Sequence, residues 1–350
     1  MARELSIDGT TISEGSGCYV IAEIGHNHQG KVETCKELFA KAKECGAHAV
    51  KLQKRHNKTL FTQEMYNSPY DNRNSYAPTY GEHREFLEFD RDQHLELQAF
   101  ANEIGITFFS TAFDMRSADF LANLDMPAYK IASGDLLNIP LMKYVAEIGK
   151  PMIISSGYGT MEDVIRAYDA IMPINPNLCI MQCTSGYPAA FEELNLNVIK
   201  TYREQFSDIP IGLSTHDNGI AMAIVGYVLG AQIVEKHFTL NRAWQGTDQA
   251  FSLEPGGLRR MVRDLNRAHI SLGDGKKARF ASEAAPMKKM GKKIVAATDL
   301  PVGEVLTMEN IDFRVTDEGL YPYEIDSILG KKLTNALNID TPITMDGLQD

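Results

Sequence analysis

The sequence predicts a (β/α)8 barrel, also called a TIM barrel, followed by a small β-rich domain. Short apolar, β-branched segments recur eight times before residue 273, with helix-like segments between them. Alternation of strands and helices predicts parallel pairing, and eight such units are typical of a closed barrel. After residue 273 the pattern changes to short β-like segments with Pro-Gly turns. An open, doubly wound sheet is the alternative, but no GxGxxG motif follows the first strand.

The predicted strands are Cys18–Ile24, Ala47–Gln53, Ile106–Ala112, Ala128–Ser133, Pro151–Ser156, Leu178–Thr184, Pro210–Thr215 and Gln232–Phe238. Helical spacing is clearest in KVETCKELFAKAKECG and RDQHLELQAFANEIG, and both segments stop at glycine, where helices commonly end. The connection from Lys54 to Phe89 is far longer than a usual βα loop. On a barrel such a loop lies over the active-site face. The alternative, a disordered insertion, is disfavoured by its many aromatic residues.

Three regions are predicted along the chain. Residues 1–273 form the barrel domain, 274–293 a basic linker, and 294–350 the small C-terminal domain. The change occurs where large apolar residues become rare and lysines frequent. There are two hypotheses for the role of the small domain. It either covers a barrel as a lid or is an independent module tethered by the linker.

Composition and charge narrow the function classes. The net charge is −11 and no long basic tract occurs, which predicts no nucleic-acid partner and no anionic-membrane partner. The start of the chain has no apolar signal core, and no apolar run approaches the roughly 20 residues that span a bilayer. The five cysteines lack zinc-site spacing and are predicted to be reduced thiols. We therefore expect a cytoplasmic protein.

Polar side chains follow all eight predicted strands, and the active sites of barrels lie at these ends. Lys51 and Lys130, with hydroxyls next to glycines, suit a phosphate or carboxylate. His216 and His237 end adjacent strands and are candidates to share a metal with water and substrate oxygens. Glu23 is a candidate acid or base. Each group alone also fits a structural role, but the set on one face predicts an enzyme. The absence of a GxSxG motif disfavours acyl-enzyme chemistry.

Seven segments stand out along the chain: IAEIGHNHQG, KLQK, KIASGDLLN, KPMIISSG, QCTSGYP, IGLSTHDNG and EKHFTL…GTDQAFSLEP. Together they resemble the sialic acid synthase family. The tail resembles the family's antifreeze-like (SAF) domain, and TYGEHREFLEF resembles the animal members. The resemblance implies condensation of phosphoenolpyruvate with an N-acetylhexosamine, giving a nine-carbon 2-keto acid and phosphate. It also implies a divalent metal, most often manganese, and a homodimer in which each tail covers the barrel mouth of the other subunit.

The resemblance assigns roles by motif. It implies that His216 and His237 bind the metal and that Glu23 is the catalytic carboxylate. The positions matching phosphoenolpyruvate-binding residues are Lys51, Thr111, Lys130, Ser133, Ser155, Ser185, Tyr187 and Ser214. Those matching sugar-binding residues are Gln53, Tyr80, Phe113, Asp135 and Asp248.

The acceptor sugar stays open at this point. N-acetylmannosamine, its 6-phosphate, and a diacetamido-dideoxy hexose leading to legionaminic or pseudaminic acid are the alternatives. The long loop contains five cations that are candidates to bind a sugar phosphate: Lys54, Arg55, Lys58, Arg73 and Arg84. The alternative is that they are charges exposed to solvent. Two other hypotheses for the function are a synthase that acts on a different aldose and an inactive, sugar-binding relative. The tail disfavours the first, and the joint presence of Glu23, Lys51, His216 and His237 disfavours the second.

Overall fold

Eight parallel strands close into a barrel in the computed structural model, which describes residues 3–350. Each strand pairs with its neighbours along the chain, and the last pairs with the first. A two-stranded antiparallel hairpin, β1 (Glu4–Ile7) and β2 (Thr10–Ser13), precedes the barrel. The predicted (β/α)8 barrel with a small β-rich tail is confirmed.

The barrel strands all lie where the sequence predicts them, within two residues at each end. They are β3 (Tyr19–Gly25), β4 (Ala49–Lys54), β5 (Thr107–Ala112), β6 (Tyr129–Ile131), β7 (Met152–Ser155), β8 (Leu178–Cys183), β9 (Ile211–Ser214) and β10 (Ile233–His237). The largest differences are at β4, which begins two residues later than predicted, and at β6, which stops at Ile131 because the chain turns into a 3-10 helix at Ser133–Asp135.

Helices alternate with these strands and cover the outside of the barrel. They are α1 (Val32–Glu44), α5 (Arg91–Ile104), α6 (Met115–Ala122), α7 (Ile139–Ala146), α8 (Met161–Ile171), α9 (Val198–Gln205), α10 (Ala221–Val228) and α11 (Pro255–Leu272). The start of α5 is fixed by a capping box between Asp90 and Gln93, and its end by Gly105 with φ 67°. These local signals explain why the helix has the bounds that its sequence predicts.

Two apolar layers hold the barrel. One lies between the strands and the surrounding helices. The other fills the lower half of the barrel interior, where Tyr19, Ile21 and Phe109 pack with Leu5 and Ile7 of the hairpin. Because successive side chains of a strand alternate between faces, every second residue continues this interior row upward. The upper part of the row is polar, so the apolar floor supports a polar mouth.

The long connection after β4 is ordered into three short helices, α2 (Asn57–Leu60), α3 (Gln63–Tyr66) and α4 (Tyr80–Phe86). The Thr79 hydroxyl caps α4. His83 of α4 is buried against Tyr70 and Tyr76, with ring centroids 4.6 and 5.7 Å apart. The Tyr76 hydroxyl donates a 2.6 Å hydrogen bond to the Gln245 carbonyl, beyond β10. This aromatic packing joins the segment to the loops at the barrel mouth.

The chain separates into two compact units, Met1–Gly273 and Asp274–Asp350. The second unit contains the helix α12 (Ala284–Met290) and two small antiparallel sheets, β11 (Lys292–Ala296) with β12 (Ile311–Val315), and β13 (Lys332–Leu333) with β14 (Leu348–Gln349). Its own core is formed by Ile294, Leu306, Ile311, Leu333 and Ile343 with their neighbours. A linker at 274–293 stays a prediction; α12 lies within it. Within residues 3–350, no helix combines the length and the apolar character needed to cross a membrane.

Candidate active site

A cavity of about 300 Å³ opens at the C-terminal ends of the barrel strands. Its lining is mostly polar, and it contains thirteen of the residues that the sequence assigns to the site. These are Glu23, Lys51, Gln53, Thr111, Phe113, Lys130, Ser133, Ser155, Tyr187, Ser214, His216, His237 and Asp248. Strand alternation explains the convergence, because these strand residues continue the inward row above the apolar floor.

A carboxylate and an ammonium group lie in contact at the bottom of the cavity. Lys51 Nζ is 2.7 Å from Glu23 Oε2, and both residues are buried. The Gln53 amide donates to Glu23 Oε1 at 2.8 Å, and Lys51 donates to the Thr111 hydroxyl at 2.8 Å. Adjacent pairing of β3, β4 and β5 brings these four side chains together. The network fixes the orientation of the Glu23 carboxylate.

Glu235 lies between the two lysines of the site. Its Oε1 is 3.6 Å from Lys51 Nζ and 3.9 Å from Lys130 Nζ. Lys130 also donates to the Ser155 hydroxyl at 2.6 Å. The cavity floor therefore carries two buried carboxylates and two buried ammonium groups, and hydroxyls surround the cations.

Burial raises the pKa of Glu23 to about 7, although Lys51 counteracts part of the shift and Glu235 adds to it. Burial acts on Glu235 in the same direction, but Lys130, Lys51 and the two imidazoles outweigh it, so its pKa is lowered. The two carboxyl groups thus differ in protonation near neutral pH. Such a separation is typical of an acid or base paired with a permanently charged group.

Two loops, after β6 and β8, bring hydroxyl groups around Gly157, the second residue after β7. Its amide donates to the Ser133 hydroxyl at 3.1 Å. A Cβ at residue 157 would lie 2.7 Å from Ser133 Oγ and closer still to Ser185 Oγ. Only glycine fits in this hydroxyl cradle, defined by Ser133, Ser185 and Gly157. Hydroxyls and a backbone amide beside Lys130 suit a phosphate.

Two imidazoles face each other across adjacent strands. The rings of His216 and His237 are 5.4 Å apart between centroids. His216 Nδ1 lies 3.1 Å from the Thr184 carbonyl and donates to it. Burial opposes protonation of this imidazole, but its hydrogen bonds with Cys183 and the Thr184 carbonyl, and nearby negative charge, together outweigh burial, so the pKa of His216 is raised. His237 Nδ1 is buried without a hydrogen-bond partner, and burial lowers the pKa of His237 to about 4.

A neutral imidazole with an unused buried nitrogen fits a metal ligand. Nevertheless, in the chain from residue 3 onward no group of three or more His, Cys, Asp and Glu side chains is arranged to hold a metal ion. The two histidines would therefore bind a metal only together with water or substrate oxygens, as sites that keep open positions do.

The strand VEKHFTL divides its charged residues between two faces. Glu235 and His237 point into the cavity, whereas Lys236 points outward and is buried. Its Nζ donates to Asp217 Oδ1 at 2.7 Å and to the Asp217 carbonyl at 2.6 Å. Because Asp217 follows His216, this ion pair ties together the ends of β9 and β10 behind the two imidazoles.

Three predicted residues lie outside the cavity lining. Ser185 borders it through the hydroxyl cradle. Asp135 lies in the 3-10 helix after β6 and accepts a 3.1 Å hydrogen bond from Asn138. Tyr80 stands behind Arg84, which donates to its hydroxyl at 3.0 and 3.1 Å.

The cavity also contains residues that the sequence did not assign to the site or left undecided. They are Arg55, Arg84, Ala132, Gly134, Tyr158, Cys183 and Glu235. Strand alternation could have predicted Glu235 and Cys183, because they lie two residues from His237 and Met181 and therefore point into the barrel as those residues do. No local signal distinguishes Arg84 from the other charges of the long loop. Of the remaining candidate loop cations, Lys54 pairs with Glu88, and Lys58 and Arg73 are exposed.

Comparison with known proteins identifies the family of the chain. The family model described as the NeuB family matches residues 38–277, and the SAF domain model matches residues 293–349. The chain belongs to the NeuB family. Among curated relatives, it is 41% identical to the human N-acetylneuraminate-9-phosphate synthase, covering 93% of this chain and 91% of that protein.

Other NeuB-type relatives act in related syntheses. The N,N'-diacetyllegionaminic acid synthase of Legionella pneumophila is 32% identical, covering 95% of each chain. A crystal structure of the N-acetylneuraminic acid synthetase of Leptospira borgpetersenii, in complex with citrate, matches with a TM-score of 0.72 and 28% identity, covering 83% of this chain and 96% of that chain. The chain is thus an enzyme of a sugar-acid synthase family that acts on small molecules.

Proposed function

We propose that the chain is a transferase that condenses phosphoenolpyruvate with an N-acetylhexosamine, N-acetylmannosamine or its 6-phosphate. The products are a nine-carbon 2-keto sugar acid of the sialic acid type and phosphate. The observation that carries the proposal is one cavity with two buried lysines, a hydroxyl cradle and a carboxyl group whose pKa is about 7. The names of the relatives support the product class.

Phosphoenolpyruvate is an anion at both ends, and the cavity offers a cation for each. Lys51 with the Thr111 hydroxyl suits the carboxylate, and Lys130 with the Ser155 hydroxyl suits the phosphate. Buried cations interact with a bound anion more strongly than solvated ones do. Because Glu235 partly balances both lysines before substrate binds, the buried charges are tolerated in the free enzyme.

Glu23 is the proposed proton carrier. C3 of phosphoenolpyruvate attacks the aldehyde carbon of the open-chain sugar, and the aldehyde oxygen takes the proton of Glu23. Water then adds to C2, and the Glu23 carboxylate takes the proton of that water. The C2–O bond to phosphate breaks as the C2 hydroxyl becomes the ketone, and its proton leaves with the phosphate. A carboxyl group with a pKa near 7 suits both transfers.

His216 and His237 are the residues that would hold a divalent metal, manganese in this proposal. Such an ion supplies Lewis-acid polarisation of an aldehyde oxygen. The unpartnered Nδ1 of His237 and the position of the His216 ring, 5.4 Å away between centroids, support this assignment. Asp248, whose Oδ2 lies 3.8 Å from His237 Nδ1, is placed to orient the imidazole or the sugar.

The experiment is an assay of the purified protein with phosphoenolpyruvate and manganese against a panel of sugars. The panel contains N-acetylmannosamine, its 6-phosphate and a diacetamido-dideoxy hexose. Mass spectrometry of the product should show a 2-keto acid three carbons longer than the acceptor. The third sugar tests the second candidate function, legionaminic or pseudaminic acid synthesis, which the Legionella relative favours. Consumption of phosphoenolpyruvate without any sugar adduct would reject the proposal.

A further inference from the structure

Two arginines line the cavity on the side opposite the hydroxyl cradle. Arg55 follows β4, and Arg84 belongs to α4 of the long connection. The cradle is formed by loops after β6, β7 and β8. In the closed order of strands, β3 and β4 lie across the barrel from β7 and β8. The cavity therefore has a second cationic wall, separate from Lys51 and Lys130.

No carboxylate forms a close ion pair with either guanidinium group, although Glu88 and Asp248 act on the Arg55 charge from a distance. Within residues 3–350, no ion pair closer than 4.0 Å involves Arg55 or Arg84. The neighbouring Glu88 Oε2 is instead engaged by Lys54 Nζ at 2.9 Å and by the Arg55 backbone amide at 3.2 Å, whereas Glu88 Oε1 is buried without a hydrogen-bond partner, 3.9 Å from His26 Nε2. Arg55 is only 9% exposed, and a buried cation without a counter-ion is costly.

Other side chains fix both guanidinium groups in place. Arg55 stacks on the Phe113 ring, 3.6 Å from its centroid, and donates to Gln53 Oε1 at 2.7 Å. Arg84 donates twice to the Tyr80 hydroxyl and lies over its ring, 5.0 Å from the centroid. Preorganised guanidinium forks with free N–H groups match the geometry of a phosphate.

His26 lies between the two guanidinium groups and can accept a hydrogen bond from only one of them. Its Nε2 lies 3.3 Å from Arg55 Nη1, and its Nδ1 lies 3.1 Å from Arg84 Nη1. A neutral imidazole has only one accepting nitrogen. Only one of the two guanidinium groups can therefore donate to the buried His26, and the other N–H faces a second N–H. An anion with several acceptor oxygens would satisfy both.

The charges of Arg55, Arg84 and His26 also favour a bound anion. Burial, followed by Arg55 and Arg84, holds the pKa of His26 well below its usual range, so the imidazole is neutral at pH 7. Burial and the nearby Arg84 lower the pKa of Arg55 to about 10, which still leaves it charged. The corner thus combines two positive charges with a neutral ring, and a dianion would relieve their repulsion.

We propose that Arg55, Arg84 and His26 form a subsite for the phosphate monoester of the acceptor sugar. The inference rests on the proposed function and deepens it, because it makes a hexosamine phosphate the preferred acceptor over the free sugar. Phosphoenolpyruvate occupies the lysine and hydroxyl side of the cavity. A sugar with a hydroxyl in place of the phosphate would leave guanidinium N–H groups without acceptors.

The test compares Arg55→Gln and Arg84→Gln with the wild-type protein in steady-state kinetics. We expect KM for N-acetylmannosamine 6-phosphate to rise roughly 10- to 100-fold in each variant, since charge-assisted hydrogen bonds are lost. KM for phosphoenolpyruvate and KM for N-acetylmannosamine should change little. Arg84 is only half buried, so we expect Arg84→Gln to fold. It tests the proposal alone if Arg55→Gln does not fold. Lys58→Gln and Arg73→Gln, exposed charges of the same segment, are the matched controls.

Equal changes for both sugars, or no change for either, would overturn the inference. Calorimetry with each sugar alone separates this failure from failure of the proposed function. Binding of the 6-phosphate that needs Arg55 and Arg84, without any product from phosphoenolpyruvate, would keep the subsite and reject the reaction. Product from the 6-phosphate with a KM that stays unchanged in both variants would keep the reaction and reject the subsite.

Discussion

The chemistry of the proposed reaction depends on the unequal state of two buried carboxyl groups. Glu23 contacts one lysine, while Glu235 is shared between two lysines and two imidazoles. Their different surroundings leave Glu23 with a pKa of about 7 and Glu235 charged. Sequence predicted Glu23 from its strand end. The sequence did not reveal that the pKa values of Glu23 and Glu235 differ, because the charges that shift them come from five separate strands and their loops.

Glu23→Gln should lower kcat by roughly 10²- to 10⁴-fold, the usual contribution of a positioned acid or base. Binding of phosphoenolpyruvate should persist, because Lys51 and Lys130 are unchanged. In the wild-type protein the first proton transfer needs the protonated carboxyl group. Activity should therefore fall as the pH rises above about 7, and this limb should be absent in the variant. A pH–rate profile of both proteins checks this, and an identical limb in both would contradict the assigned role.

His237→Ala should lower manganese affinity by at least roughly 100-fold, because the ligand itself is removed. Metal content after dialysis and sugar-dependent turnover should fall together, while the far-ultraviolet circular dichroism stays unchanged. His56→Gln is the control, since the His56 imidazole bonds only locally to Thr59 in the long connection. Full manganese binding in His237→Ala would exclude the ligand role.

At the scale of the element, strand alternation made much of the site predictable. The side chain of a residue at a strand end points either into the barrel or outward. The segment VEKHFTL contains both kinds. Glu235 and His237 enter the cavity, whereas Lys236 points outward and pairs with Asp217. Loops carry no such periodicity. Asp135 was predicted to bind the sugar, yet it lies in a 3-10 helix outside the cavity lining. The positions of Arg84 and Tyr80 depend on the packing of α4 against distant loops.

The loop after β7 provides a test of the hydroxyl cradle. Gly157→Ala should push Ser133 and Ser185 apart, at a cost of roughly 1–3 kcal/mol for overpacking. We expect KM for phosphoenolpyruvate to rise about ten-fold while KM for the sugar changes less. Gly15→Ala is the control, because a Cβ there meets nothing within 4 Å. If both variants keep the wild-type KM, the cradle does not bind the phosphate.

At the scale of the whole molecule, the chain combines a barrel with a second unit that has its own core. Both architectures were predictable, because strand–helix alternation ends near Gly273 and short β-like segments with Pro-Gly turns follow. The helix α12 was not predicted, since its segment has few large apolar residues. The resemblance implies that the second unit covers the barrel mouth of another subunit in a homodimer, and this role stays a prediction.

Truncation after Gly273 should leave a folded barrel, because its core lies within that unit. If the tail is a lid, KM for the sugar should rise roughly ten-fold or more, since positioning is lost, while phosphoenolpyruvate binding persists. Sedimentation should show a dimer for the full chain and a weaker or absent dimer after truncation. A truncated protein with full sugar use would show that the tail is a tethered module.

The central claim is condensation with cleavage of the C2–O bond of phosphoenolpyruvate. The most direct measurement uses phosphoenolpyruvate labelled with ¹⁸O in the bridging position, incubated with manganese and N-acetylmannosamine 6-phosphate. The account predicts release of one labelled phosphate for each sugar acid formed, with an unlabelled ketone oxygen derived from water. Label retained in the sugar acid, or phosphate release that does not depend on the sugar, would contradict it.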